Sequence, residues 1–249
     1  MSRSVVILGG GLASRLGGIT KEIPKSMILI HDRPFIDFQF ELLKTQNLRD
    51  IIYCTGFLGE QVEKHVGDGS KFGLNVKFSR DGAFPLGTGG AVRRALPLAS
   101  DPFFLMYGDS YLPTQFAPVM SYFLKERETR TPRPLALMTV FKNENLFDRS
   151  NVLFRDGQLL RYDKKSPDNS MKYIDWGLGI FSHSAFDSKP KDIPFDLADT
   201  YSSLSQNNQL LGFEVKKRFF EIGSLSGLST FRDEFPVTKI RLTGGEIDK

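Results

Sequence analysis

Val5-Val6-Ile7-Leu8-Gly9-Gly10-Gly11-Leu12-Ala13-Ser14-Arg15-Leu16-Gly17-Gly18, followed at a short distance by Pro24-Lys25, is the stretch on which the fold reading turns. Four apolar, mostly β-branched residues cut off by glycines have the pattern of an inner strand of a parallel sheet that ends in a loop. Glycines let backbone N–H groups approach phosphate oxygens unobstructed, and a cation in the same loop can grip the same anion. Two common phosphate-binding patterns do not fit. No G-x-x-x-x-G-K-[ST] occurs, and a dinucleotide fingerprint would need glycine or alanine at Ser14 and an acidic residue ending the second strand, where Thr55-Gly56 stands.

Working outward, the next strand-like runs are Ile51-Ile52-Tyr53, Phe103 to Tyr107 and Leu135 to Met138. Helical patterns fall between them: Pro34 to Leu43, with Phe35, Phe38 and Leu42 on one face, then Glu60 to Val66, Gly90 to Leu98 and Phe116 to Glu128. Strand and helix in alternation with short links predict an open three-layer α/β/α sheet, Rossmann-like and mostly parallel. Asp156-Gly157 inside Asn151 to Tyr162 signals a hairpin, so mixed antiparallel pairing is expected from there on. A strand from Ile174 to Phe181, a helix from Phe195 to Asn207, strands at Leu211 to Val215 and Phe219 to Ile222, and a helix from Leu225 to Glu234 complete the reading. A single domain over 1–235 is expected, with a peripheral tail at 236–249.

Composition narrows the function classes. The chain has 249 residues, 25% charged and 40% hydrophobic, enough for a full core. Its one cysteine, Cys54, lies in an apolar run and reads as buried, and no internal disulfide is possible. No signal peptide pattern opens the sequence and no apolar run is long enough to span a bilayer, so a cytoplasmic protein without membrane partners is expected. The net charge of +4 comes from scattered lysines and arginines, with one dense run at Lys216-Lys217-Arg218. That pattern favours small anionic substrates over nucleic acid. His31, His65 and His183 fall in no ligand spacing, which argues against zinc.

The segments following each strand carry the chemistry, because ligands of open α/β sheets bind beyond the carboxyl ends of the strands. Gly10-Gly11-Leu12-Ala13-Ser14-Arg15-Leu16 with Pro24-Lys25 resembles the signature of the sugar-1-phosphate nucleotidyltransferases, or NDP-sugar pyrophosphorylases, usually G-G-x-G-T-R-L and then P-K. Leu86-Gly87-Thr88-Gly89-Gly90-Ala91, Tyr107-Gly108-Asp109-Ser110 and Phe219 to Ser224 follow in the family's order, so the resemblance covers nearly the whole chain. The compact length and the Gly-Thr-Gly-Gly-Ala segment are closest in pattern to heptose 1-phosphate guanylyltransferase-like members.

The resemblance implies the family's nucleotidyltransferase fold and the transfer of a nucleoside monophosphate from an NTP to a sugar 1-phosphate, within NDP-sugar and polysaccharide biosynthesis. GTP and a heptose 1-phosphate or related sugar are the implied pair, and the enzyme a monomer or homodimer. Arg15 and Lys25 are the implied catalytic cations. Leu8, Gly10, Gly11, Leu12, Ala13, Ser14, Leu86, Gly87, Thr88 and Gly108 would meet the nucleotide. Lys164, after Asp163, and Asp175-Trp176-Gly177 would meet the sugar phosphate. Asp109 and Glu221 would hold Mg²⁺, which favours one or two carboxylates together with phosphate oxygens.

Several of these positions carry a second reading. Glu221 stands where many relatives have aspartate, and it either reaches the metal or caps the helix beginning at Gly223-Ser224. Thr88 caps a helix start as well as facing a base. Lys164 fits a solvated basic loop beside Lys165, and Trp176 fits core packing. Ala13 and Ser14 replace the usual glycine and threonine, and together with Glu221 they mark the alternative of a non-catalytic nucleotide- or sugar-phosphate-binding relative.

Overall fold

The computed structural model describes residues 3–11 and 22–236, so Leu12, Ala13, Ser14 and Arg15 of the expected site, and the tail beyond Pro236, lie outside the described residues. Strand β1 (Val5–Leu8) is followed by a small hairpin of β2 (Leu29–Ile30) and β3 (Arg33–Pro34), helix α1 (Phe35–Thr45), strand β4 (Asp50–Thr55), helix α2 (Gly59–Val66) and strand β5 (Asn75–Arg80). Helix α3 (Gly87–Ala95), strand β6 (Phe103–Tyr107), the two-residue strand β7 (Ser110–Tyr111), helix α4 (Phe116–Thr129) and strand β8 (Ala136–Lys142) come next. The chain continues through β9 (Val152–Arg155), β10 (Gln158–Tyr162), β11 (Tyr173–Phe181), helix α5 (Leu197–Gln206), β12 (Leu210–Val215), β13 (Phe220–Glu221) and helix α6 (Leu225–Glu234).

Strand β1 is central. It pairs in parallel with β4 on one side and β6 on the other, and β5 extends the parallel half beyond β4. The long strand β11 runs antiparallel to both β6 and β8, and β9 and β10 form the hairpin expected at Asp156-Gly157. Strand β12 returns parallel to β8. Pleating sorts the apolar residues by parity. Val5 and Ile7 pack with Phe40, Val62 and Phe123 of α1, α2 and α4, whereas Val6 packs with Val92 of α3 and Tyr201 of α5. The two clusters on opposite faces make the three layers. Cys54 is buried in the second cluster, as its apolar run implies.

Three local outcomes differ from the sequence reading. Strand β5 is an addition to it: polar residues alternate with apolar ones there, the burial of an edge strand whose outward positions, Asn75 and Lys77, face solvent. Helix α3 starts at Gly87 rather than Gly90, since its first free amides find a partner from a distant loop: Gly89 N and Gly90 N donate to the carbonyl of Phe195 at 3.0 and 3.4 Å. A third cluster, with Phe35, Phe38, Ile222 and Phe231, fastens α6 against the start of α1.

Candidate functional site

The carboxyl ends of β1, β4 and β6 crowd together. Gly9 N donates to Cys54 O at 3.0 Å and Gly108 N to Leu8 O at 2.9 Å. A side-chain carbon at Gly108 would fall 2.8 Å from both Gly9 Cα and Leu8 O, so only glycine permits this approach. Above these strand ends opens a cleft of about 340 Å³, within the range of small-molecule sites. Leu8, Gly9, Gly10, Gly11 and Gly108 floor it, Asp81, Pro85, Gly87, Thr88 and Ala91 form one wall, and Lys25, Tyr107 and Asp109 face them.

Asp109 is held from three directions. Its own carbonyl accepts from Ile222 N at 2.9 Å, in the ladder that pairs β7 with β13. Buried Gln39 of α1 donates to Tyr107 O at 3.0 Å and Ser110 O at 2.7 Å, clamping the turn on both sides of the carboxylate. Lys25, at the start of a 3-10 turn after extended Pro24, places Nζ 3.1 Å from Asp109 Oδ2. The β7–β13 pairing aligns Glu221 with Ser110 and so brings the second acid alongside. Asp109 Oδ2, Glu221 Oε2 and Lys25 Nζ all face one point, the place a side-chain carbon on Gly223 would occupy, at 3.1, 3.0 and 3.6 Å.

Glu221 also braces the residue that caps the following helix: Oε2 accepts from Gly223 N at 2.6 Å and Ser224 N at 3.0 Å, and Oε1 accepts from the hydroxyl of Ser224, the capping residue, which itself accepts from Gly227 N at 3.0 Å. The glutamate therefore steadies the helix start through Ser224, and its carboxylate faces the Asp109 side as well. Among the described residues no group of three or more His, Cys, Asp or Glu is poised around an ion. Two carboxylates brought near one another are the ligand type that a small hard cation takes, with phosphate and water as its other ligands.

On the opposite wall Thr88 does not cap α3, whose first turn has no side-chain cap. Its hydroxyl instead donates to Asp196 Oδ1 at 3.0 Å and accepts from Leu197 N at 2.9 Å, joining α3 to the start of α5. Gly87 has a φ of +68°, and a side-chain carbon there would lie 2.7 Å from Phe195 O. Leu86 is buried behind this wall. Its N–H donates to Asp81 Oδ2 at 3.2 Å. Burial pushes the Asp81 carboxyl above its ordinary range, a push partly countered by that N–H and by Arg94.

Of the positions expected to meet the sugar phosphate, Lys164 reaches Asp196 Oδ2 at 3.3 Å and is thereby joined to the Thr88 wall. Its neighbour Asp163 serves the turn, accepting from Lys165 N and Ser166 N at 3.0 and 2.8 Å. Asp175 and Gly177 form an irregular step in β11, where Gly177 takes φ +98° and its N–H donates to Asp175 Oδ1 at 2.9 Å. Removal from water raises the Asp175 carboxyl to about 6, against the opposing pull of the Gly177 N–H, the Lys164 charge and Tyr107. The Trp176 side chain is not brought to the cleft: it is wholly buried in the core, and its indole N–H is spent on Lys217 O at 2.7 Å.

Sequence reasoning gave no site role to Asp81, Gln39 and Asp196, and quoted Tyr107 only as part of the Asp109 motif. Asp81 stands directly after β5, so recognising that strand would have exposed it by the same rule that selected Asp109. Gln39 carries no local signal, because its partners lie 68 and 71 residues away.

Residues 4–138 match the model of a family described as nucleotidyl transferase. Among curated proteins, a D-glycero-alpha-D-manno-heptose 1-phosphate guanylyltransferase of Campylobacter jejuni is 32% identical over 153 residues, 61% of this chain and 63% of that protein. A protein of the same description from Aneurinibacillus thermoaerophilus is 25% identical over 88% of this chain and 92% of its own. A mannose-1-phosphate guanyltransferase of Gibberella zeae is 26% identical over 88% of this chain, and the match spans 60% of that relative's length. The fold is shared with HddC from Yersinia pseudotuberculosis, at TM-score 0.75 and 22% identity over 94% of this chain and all of that one.

Proposed function

Because this chain belongs to the nucleotidyl transferase family, we propose that it transfers a nucleoside monophosphate from an NTP to a sugar 1-phosphate, releasing pyrophosphate. The observation that carries this reading is the glycine-floored cleft lined by Lys25 and Asp109, both of which face Glu221 across the Gly223 position. The similarity to the Aneurinibacillus guanylyltransferase over 88% of this chain supports GTP and a heptose 1-phosphate or related sugar as the pair.

A phosphate oxygen of the sugar phosphate attacks the α-phosphorus, the new P–O bond forms, and the bond to the bridging oxygen of pyrophosphate breaks. The nucleophile is already an anion near neutral pH, so no side chain needs to remove a proton. The protein's task is to align two polyanions and neutralise charge gathering on the phosphoryl oxygens. Lys25 supplies one fixed positive charge, and the family resemblance implies a second from Arg15, which lies outside the described residues. Asp109 and Glu221 would hold Mg²⁺, which supplies further charge neutralisation at the transferring phosphoryl group. Among the described residues no helix is long and apolar enough to cross a membrane.

The hydrogen bonds that already occupy both Glu221 oxygens favour a second reading, a relative that binds these ligands without turning them over. A pyrophosphate-release screen of several NTPs against a panel of sugar 1-phosphates separates the two. Release that needs a sugar phosphate supports transfer, whereas ligand binding without release supports the second reading.

A further inference from the structure

Asp196 joins the Thr88 wall of the cleft to Lys164. As the residue preceding α5 it accepts from Ala198 N at 2.9 Å through Oδ1, and the same oxygen accepts from the Thr88 hydroxyl at 3.0 Å. Its other oxygen faces Lys164 Nζ at 3.3 Å. Thr88 is itself fixed by Leu197 N at 2.9 Å, and the preceding carbonyl, of Phe195, closes the free amides of Gly89 and Gly90. Burial pushes the Asp196 carboxyl up, but the Ala198 N–H, the Lys164 charge and Thr88 outweigh it and leave the group below its ordinary value. The carboxylate is thus aimed before Lys164 reaches it.

Stability does not account for the pair. Lys164 and Asp196 side chains are 57% and 47% exposed, and an ion pair that open contributes little to folding. The next lysine is tied to the same helix turn, Lys165 Nζ lying 2.7 Å from Asp199 Oδ1. Two successive lysines after β10 are therefore docked on the first turn of α5, which in turn is locked to the start of α3. The docking fixes where the Lys164 ammonium stands relative to the nucleotide wall.

We propose that Asp196 is a positioning residue for the second substrate: it holds Lys164 in register with the Thr88 wall so that the ammonium meets the phosphate of the sugar 1-phosphate. This rests on the proposed nucleotidyl transfer. Asp196→Asn isolates the contact, because the amide oxygen still accepts from Ala198 and Thr88 while the NH₂ group can no longer accept from Lys164.

The test is steady-state pyrophosphate release by wild type, Asp196→Asn, Lys164→Ala and the double variant, with thermal melts of each. Asp196→Asn should raise KM for the sugar 1-phosphate roughly five- to tenfold, the usual reach of a contact pair, with the KM for NTP and the Tm unchanged. In the Lys164→Ala background it should add nothing further. An unchanged sugar-phosphate KM in Asp196→Asn, or additive losses in the double variant, would overturn the assignment alone. Absence of release by wild type would overturn the reaction and this role together.

Discussion

Lys25 and Asp109 form a partly buried pair at 3.1 Å on the lip of the cleft. A triphosphate entering there meets an ammonium already positioned, and loss of one such charge-stabilising contact costs roughly 10²–10³ in kcat. Lys25→Ala should lower kcat by that amount while leaving the Tm near wild type, and a fall of less than about tenfold would contradict its role. Asp175 gives a prediction in pH. Its carboxyl rises from 3.8 to about 6 on folding, so it binds its proton more tightly in the native state. The stability it contributes is full below the unfolded value and is lost as pH rises through the folded one. Asp175→Asn should therefore gain on wild type by about 2–3 kcal/mol between acid and neutral pH. Thermal melts across that window check the sign, since a difference that is flat with pH would rule out a carboxyl that titrates abnormally at this position.

Elements explain what single residues cannot. The turn bearing Asp109 owes its shape to Gln39 of α1, whose amide serves two carbonyls from inside the core. Gln39→Leu keeps the volume but leaves Tyr107 O and Ser110 O short of a donor, at about 1–3 kcal/mol per buried group. Denaturant unfolding should show that loss, and turnover should fall with it. An unaffected midpoint would mean that the turn holds itself. At the other wall, Gly87→Ala forces a side chain onto φ +68° and into Phe195 O. A destabilisation of about 2 kcal/mol is expected, with α3 and α5 loosening together, and a neutral result would show that the two helix starts are not locked.

Legibility in the sequence follows the range of the signal. Strand β1, its glycines and the Asp109 turn are readable because each announces itself within a few residues. The true start of helix α3 and the strand β5 with Asp81 are not, because a loop more than a hundred residues downstream completes the first and edge-strand polarity disguises the second. Trp176 shows the converse: its segment suggests a pocket, whereas bulk and a carbonyl partner at Lys217 draw it into the core. Glu221 lies between its two readings: its carboxylate braces Ser224, the residue that caps α6, and also faces Asp109.

At the scale of the molecule, the site is a product of topology. Leu8, Lys25, Asp81, Thr88 and Asp109 come from separate stretches, and meet only because parallel strands end on one edge of the sheet while a two-strand ladder carries Glu221 back to that edge. A site assembled this way is suited to an anion held across several elements, and the approach of Glu221 to Asp109 calls for positive charge beyond that of Lys25. The magnesium dependence of pyrophosphate release, measured for wild type and Asp109→Asn, tests that claim most directly. Saturable dependence in wild type and a loss of roughly 10² or more in the variant are the predicted result. Undiminished release in excess chelator, or by Asp109→Asn, would contradict it.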